Sequence, residues 1–205
     1  GGLPGRRLAL SGFASGTPAD PDEVVSGPQR AVFLDRDGVI NRAVVRDGKP
    51  YPPDTLQDLV ILPGVAQALL RLRSADFLNV VVTNQPDVAT GRQSRATVEA
   101  MHDLLRQELA LVAIKACFHT DADACACRKP KPGMLLESAQ ELGISLSDSY
   151  MIGDRWRDVA AGQAAGCRCF FSGDGYAEAR PDQPYATVKS LADSVDRILG
   201  PAGKP

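Results

Sequence analysis

A three-layer α/β fold, built on a doubly wound and mostly parallel sheet, is what this sequence predicts, and three observations carry it. Short apolar runs of strand length alternate with longer segments striped at helical spacing. The runs are continuously apolar, as strands buried on both faces require. Three of them also lead straight into polar groups: Asp35 and Asp37, then Thr83-Asn84-Gln85, then Gly153-Asp154-Arg155. Strands alternating with helices imply parallel pairing through crossovers, with helices on both sides of the sheet.

Residues 1–28 hold six Gly and four Pro without a hydrophobic period and read as a flexible tail. A single domain is expected over 29–199, and 200–205 reads as a second short tail. Within the domain, Ala31 to Leu34 is the first buried strand. Gly64 to Ala75 is a helix with Val65, Leu69 and Leu72 on one stripe. Phe77 to Val82 is the second strand, and Ser94 to Leu111 a longer helix striped by Val98, Met101, Leu105 and Leu109. Ile114 to Cys117 is a weak third strand. Pro132 to Leu142 is a helix, with Pro in its first turn and Gly143 at its end. Ser149 to Ile152, a helix over Trp156 to Ala165, and Cys167 to Phe171 follow, and Ser190 to Leu199 closes the chain as a helix.

Composition narrows the function classes. With 23 basic and 25 acidic side chains among 205 residues, the formal charge is -2, which gives no electrostatic footprint for nucleic acid or an anionic membrane. No apolar run reaches the roughly 18 residues of a membrane span. Five cysteines, an odd number with three crowded beside His119, do not look like a disulfide framework, so the cytoplasm is the expected compartment. A monomer acting on a small molecule is expected. Neither G-x-S-x-G, a Walker A loop nor G-x-G-x-x-G occurs, which disfavours a serine hydrolase or a nucleotide-binding module.

In sheets of this kind the ligand site lies beyond the carboxyl ends of the strands. There Asp35 and Asp37 stand two residues apart, and like charges so close need a cation or a proton between them. Alone, such a pair is mostly a cap or a turn. With Asp154 at another strand end it can form a hard oxygen site suited to Mg²⁺. A second cluster, Cys117-x-His119 followed by Cys125-x-Cys127, offers three thiols and an imidazole. Zn²⁺ binds such a set tetrahedrally, with no position left for water, so the site should be structural; free or oxidised cysteines are the alternative. Cys167 and Cys169 alternate on the last strand and read as core.

Leu34-Asp35-Arg36-Asp37-Gly38-Val39-Ile40-Asn41, Val82-Thr83-Asn84-Gln85, Arg128-Lys129-Pro130 and Ile152-Gly153-Asp154-Arg155 resemble, in order, the four motifs of the haloacid dehalogenase superfamily of phosphatases. The resemblance implies a Mg²⁺-dependent phosphomonoester hydrolase working through a phospho-aspartate. Asp35 is then the nucleophile, and Asp37 the acid for the leaving alkoxide and the base for the attacking water. Asp35, the Asp37 carbonyl and Asp154 would hold Mg²⁺. Thr83 and the amide of Asn84, with Gln85 beside them, would contact phosphate, and Lys129 would neutralise charge and fix Asp35. Asp158 would support the loop or bond a neighbouring cation. The family also carries a zinc loop just before the Arg128-Lys129 motif.

The intervals between the motifs leave no room for a separate cap domain, so loops should contact the substrate. The segment Asn41 to Pro53 is the expected lip. Arg46, Lys49, Arg128 and Arg155 would make a cationic rim, with Arg128 and Arg155 left without an anion by a single phosphate. A bisphosphorylated sugar losing one phosphate is therefore the expected substrate. Histidinol phosphate or another small phosphomonoester is the alternative.

Overall fold

The computed structural model describes residues 27–173 and 176–200; the two expected tails lie outside it except for residues 27, 28 and 200. In chain order come strand β1 (Arg30–Leu34), a hairpin of β2 (Val44–Arg46) and β3 (Lys49–Tyr51), helix α1 (Val65–Ser74), β4 (Phe77–Asn84), α2 (Arg95–Glu108), β5 (Ala113–Cys117) and α3 (Gly133–Leu142). Then follow β6 (Tyr150–Gly153), α4 (Trp156–Ala165), β7 (Arg168–Phe171), β8 (Ala186–Thr187) and α5 (Leu191–Leu199). Six strands form one sheet in the order β5-β4-β1-β6-β7-β8, and every pairing in it is parallel. The expected α/β class and three layers are present.

Alternation along the central strands divides the core. Val32 and Leu34 of β1 face one side with Val81 and Ile152, covered by Val65, Leu69 and Leu72 of α1, Leu105 of α2 and Val195 of α5. Ala31 and Phe33 face the other side with Val80, Val82 and Met151, covered by Met134 and Leu135 of α3 and Val159 of α4. Cys167 and Cys169 pack there too, as expected. Such two-sided burial leaves the strands no wet face, which is why their sequences read as continuous apolar runs.

The chain winds from β1 through β4 to β5, then returns to the other side of β1 for β6, β7 and β8. The switch point therefore falls between β1 and β6, where a crevice opens at the carboxyl ends of the strands. The Asp35 amide bonds the Ile152 carbonyl at 3.0 Å and keeps the two strands together up to that point.

One expectation gains detail and one is corrected. The lip is a hairpin, because Asp47 and Gly48 both hold positive φ (50° and 70°), the conformation a tight two-residue turn between twisted strands requires. The second long helix stops at Glu108 instead of Leu111. Leu109 is extended, and it joins the core from the connection into β5. Elsewhere the ends carry caps: the Ser94 hydroxyl accepts from the Thr97 amide, and Ser190 from Asp193.

Candidate active site

The floor of the crevice is a buried charge cluster. Lys129, 2% exposed, sends its ammonium to Asp35 Oδ1 at 2.7 Å, to the Val82 carbonyl at 2.7 Å and to Asp158 Oδ1 at 2.6 Å. The Asn84 side chain holds the Lys129 backbone from both sides, accepting its N–H and donating to its carbonyl. Burial works against the ammonium, but Asp158 and Asp35 outweigh it and push its pKa up. Burial lifts the Asp35 carboxyl to about 6; Lys129 opposes that shift, and Asp158 and Asp37 add to it. Asp154 is raised well above the usual carboxylate range by burial, then by Asp35 and Asp158.

Oxygens of Asp35, Asp154 and Asp158 all lie within 4.8 Å of one another. One ammonium faces three carboxylates in this cluster, so they need protons or a further cation beside Lys129. The lone pairs show where a divalent cation fits. Asp158 spends Oδ1 on Lys129 and Oδ2 on the Arg155 amide, where it caps α4. The Tyr176 hydroxyl donates to Asp154 Oδ2 at 2.6 Å, while Asp154 Oδ1 is buried without a partner among the described residues. Asp35 and Asp154 therefore keep oxygens for a hard cation, and Asp158 acts through Lys129. Gly38, at φ 91°, is required here, since a Cβ would overlap the Asp154 carboxylate.

Asp37 is held differently. Arg36 reaches both its oxygens, with Nη2 2.9 Å from Oδ2; Asn41 Nδ2 donates to Oδ1 at 2.9 Å and Gln85 Nε2 to Oδ2 at 2.8 Å. Gln85 also donates to Thr83 Oγ1, which leaves the Thr83 hydroxyl proton for another acceptor. Gln85 was expected to contact substrate. It is 1% exposed, does not line the crevice and instead donates to Asp37 and Thr83, which do.

The crevice has a volume of about 280 Å³, and Asp35, Asp37, Thr83, Asn84 and Lys129 line its floor. Lys49 and Tyr51 of the hairpin, Arg92, Arg128, Arg155 and Arg157 stand around its mouth. The expected rim needs two corrections. Arg46 does not line the crevice; its guanidinium pairs with Asp54 and lies over the Tyr51 ring. Arg128 and Arg155 do line it, but neither lacks an anion. Arg128 bonds Asp121 at 2.8 Å, which Arg157 also reaches at 2.9 Å, and Arg155 pairs with Glu178. Asp121, Arg157, Tyr176 and Glu178 escaped the sequence reading, because single charged or aromatic residues in loops and at a helix start carry no pattern.

The second cluster lies at the end of β5 and in the loop before Lys129. Cys117 Sγ is 3.1 Å from Cys127 Sγ and 3.7 Å from Cys125 Sγ, and Cys125 and Cys127 are 3.4 Å apart. His119 Nδ1 approaches Cys127 and Cys117 at 3.3 and 3.6 Å. A zinc ion bonded to sulfur at about 2.3 Å would space tetrahedral ligands by about 3.7 Å, so the four atoms fit such an ion after a small expansion. None of the five cysteines is in a disulfide.

A family model described as HAD-hydrolase-like matches residues 126–194. The D-glycero-beta-D-manno-heptose-1,7-bisphosphate 7-phosphatase of Bordetella bronchiseptica is 39% identical over 143 residues, 67% of this chain and 77% of the relative. That of Pasteurella multocida is 33% identical over 186 residues, 84% of this chain and 98% of the relative. Among solved structures, the D,D-heptose 1,7-bisphosphate phosphatase from B. bronchiseptica, complexed with magnesium and phosphate, superposes with a TM-score of 0.72 at 32% identity, covering 83% of this chain and 98% of that one. The chain belongs to the haloacid dehalogenase-like hydrolases, in the family of the D-glycero-beta-D-manno-heptose-1,7-bisphosphate 7-phosphatases.

Proposed function

We propose that the chain hydrolyses the 7-phosphate of D-glycero-D-manno-heptose 1,7-bisphosphate and releases the heptose 1-phosphate. The observation that carries the chemistry is the set of buried carboxylates around Lys129, facing Thr83 across the crevice floor. Asp35 attacks the phosphorus and takes the phosphoryl group as an acyl phosphate. Asp37, protonated when substrate is bound, gives its proton to the departing alkoxide, then takes one from the water that attacks phospho-Asp35. Lys129, the Thr83 hydroxyl and the Asn84 amide stabilise the charge spread over the transferring oxygens. Asp35, Asp154 and the Asp37 carbonyl would hold Mg²⁺, which supplies further positive charge to those oxygens when bound. Arg128 and Arg155 bind the remote phosphate or sugar hydroxyls by exchanging Asp121 and Glu178 for substrate.

Cys117, His119, Cys125 and Cys127 would hold a structural Zn²⁺ that fixes the loop delivering Arg128 and Lys129. Elemental analysis should find about one zinc per chain. Zinc-free protein of full stability and activity would end that part of the proposal. A cytoplasmic monomer of one domain fits this reading: none of the cysteines is in a disulfide, and no helix among the described residues is long and apolar enough to cross a membrane. Light scattering tests the monomer.

The substrate is tested by phosphate release with Mg²⁺ from heptose bisphosphate and from histidinol phosphate. A clear preference in kcat/KM for the first, with one phosphate removed, is expected. Comparable values, or none on the bisphosphate, would move the assignment to histidinol phosphate or another small monoester.

A further inference from the structure

Arg36 is completely buried, and all of its donors therefore need acceptors. Nε and Nη2 are spent on Asp37, and Nη1 meets His102 Nε2 at 3.2 Å. His102 sits on α2, 1% exposed, beside the stripe of Val98, Met101 and Leu105 that anchors the helix in the core. Its other nitrogen, Nδ1, lies 3.6 Å from Glu99 Oε2, one turn earlier on the same helix. An apolar side chain would fill such a place at lower cost, so a polar one invites a reason.

We propose that His102 is a positioning residue for proton transfer: its imidazole pins the Arg36 guanidinium, and Arg36 in turn holds the Asp37 carboxyl towards the leaving oxygen. The inference rests on the reading of Asp37 as the proton-transfer group. Arg36 and Asp37 are neighbours in the chain, and a long side chain pairing with its neighbour has many ways to do so. A fixed acceptor at the far end of the guanidinium selects one of them. Nε2 can accept only if it carries no proton. Burial first, then Arg36 and Arg106, push the His102 pKa down to about 4 against the weaker pull of Asp37 and Asp103, so the ring is neutral at ordinary pH. With Nε2 as acceptor, the proton sits on Nδ1 towards Glu99.

A simple core histidine and a positioning histidine differ in how they respond to the leaving group. An aliphatic alkoxide needs a proton as it departs, whereas p-nitrophenolate is stable without one. The test is rapid-quench measurement of first-turnover alcohol release by the full Mg²⁺-loaded chain. The substrates are p-nitrophenyl phosphate and whichever of heptose bisphosphate and histidinol phosphate turns over faster. His102→Leu should slow release of the aliphatic alcohol by about 10- to 100-fold and p-nitrophenol by less than about 3-fold. His102→Gln, whose Oε1 can replace Nε2 as acceptor, should recover most of the loss. Equal losses on both substrates, no loss on either, or no recovery with Gln would overturn the proposal.

Asp37→Asn in the same experiment separates the two readings. If it too slows both substrates equally, the role of Asp37 fails first; if it is selective and His102→Leu is not, only the role of His102 fails. Should His102→Leu not fold, imidazole nitrogen shifts of the wild-type chain decide. An unprotonated Nε2 at neutral pH is required, and a protonated one contradicts the proposal.

Discussion

The floor of the crevice and its rim use the same materials, carboxylates against lysine or arginine, and come out differently. On the floor, Lys129, Asp35 and Asp158 are almost fully buried; Asp35 follows a strand end, Asp158 stands in the first turn of α4, and the Lys129 backbone is held by Asn84 at the end of β4. At the rim, Asp121 of the Arg128 pair is 64% exposed, and the Arg155–Glu178 pair is partly exposed, at 33% and 17%. A buried charge must have its partner, while exposed pairs contribute little and exchange readily. The floor is therefore a single arrangement, ready before substrate arrives. The rim's arginines are held by the protein's own carboxylates until a stronger anion replaces them.

The largest expected effect follows from removing the one ammonium of the floor. Lys129→Met leaves Asp35 and Asp158 without their cation and should destabilise the chain by about 3–5 kcal/mol, measured by urea unfolding at neutral pH. A loss under about 1 kcal/mol would make the floor no different from the rim.

A second test uses the raised Asp35 carboxyl. Its ordinary value is 3.8 and the fold lifts it to about 6. The folded state thus binds the proton more tightly than the unfolded chain. The resulting stability is fully present below about pH 4 and is lost as pH rises through about 6, with about 3 kcal/mol at stake. Metal-free protein should show that decline in Tm with pH, and Mg²⁺ should reverse it at pH 7. A flat profile without metal would mean that the floor carries no excess negative charge.

Smaller effects are expected at the rim. Arg128→Ala should raise KM for the bisphosphate about 10-fold, with a much smaller change for p-nitrophenyl phosphate, which has no second anion for that side chain. Arg46→Ala should change both by less than about 2-fold and stability by less than about 1 kcal/mol. Equal effects of the two substitutions would erase the distinction between an arginine that lines the crevice and one that does not.

The same contrast explains what could be read from the sequence. Strand ends are fixed by periodicity, so Asp35, Thr83 and Asp154 could be brought together from spacing alone, and the four metal-type ligands by their crowding. The roles of Gln85 and Asp158 depend on which way a side chain turns behind the strand ends. The partners of Arg128 and Arg155 depend on the paths of loops, whose charged residues have no period. The hairpin was within reach, because Asp47-Gly48 between Val45 and Tyr51 is a tight-turn signal. His102 gave no signal at all, since one histidine beside an apolar helix stripe reads as core.

The floor works by covalent capture at Asp35. Acid quenching during turnover, followed by borohydride reduction and peptide mass spectrometry, tests it most directly, because reduction converts an acyl phosphate on aspartate to homoserine. The account requires homoserine at position 35 in the wild-type chain, none at Asp37 or Asp154, and none anywhere in Asp35→Asn, with activity lowered more than about 100-fold. Full turnover with no residue converted, or conversion at another aspartate, would contradict it.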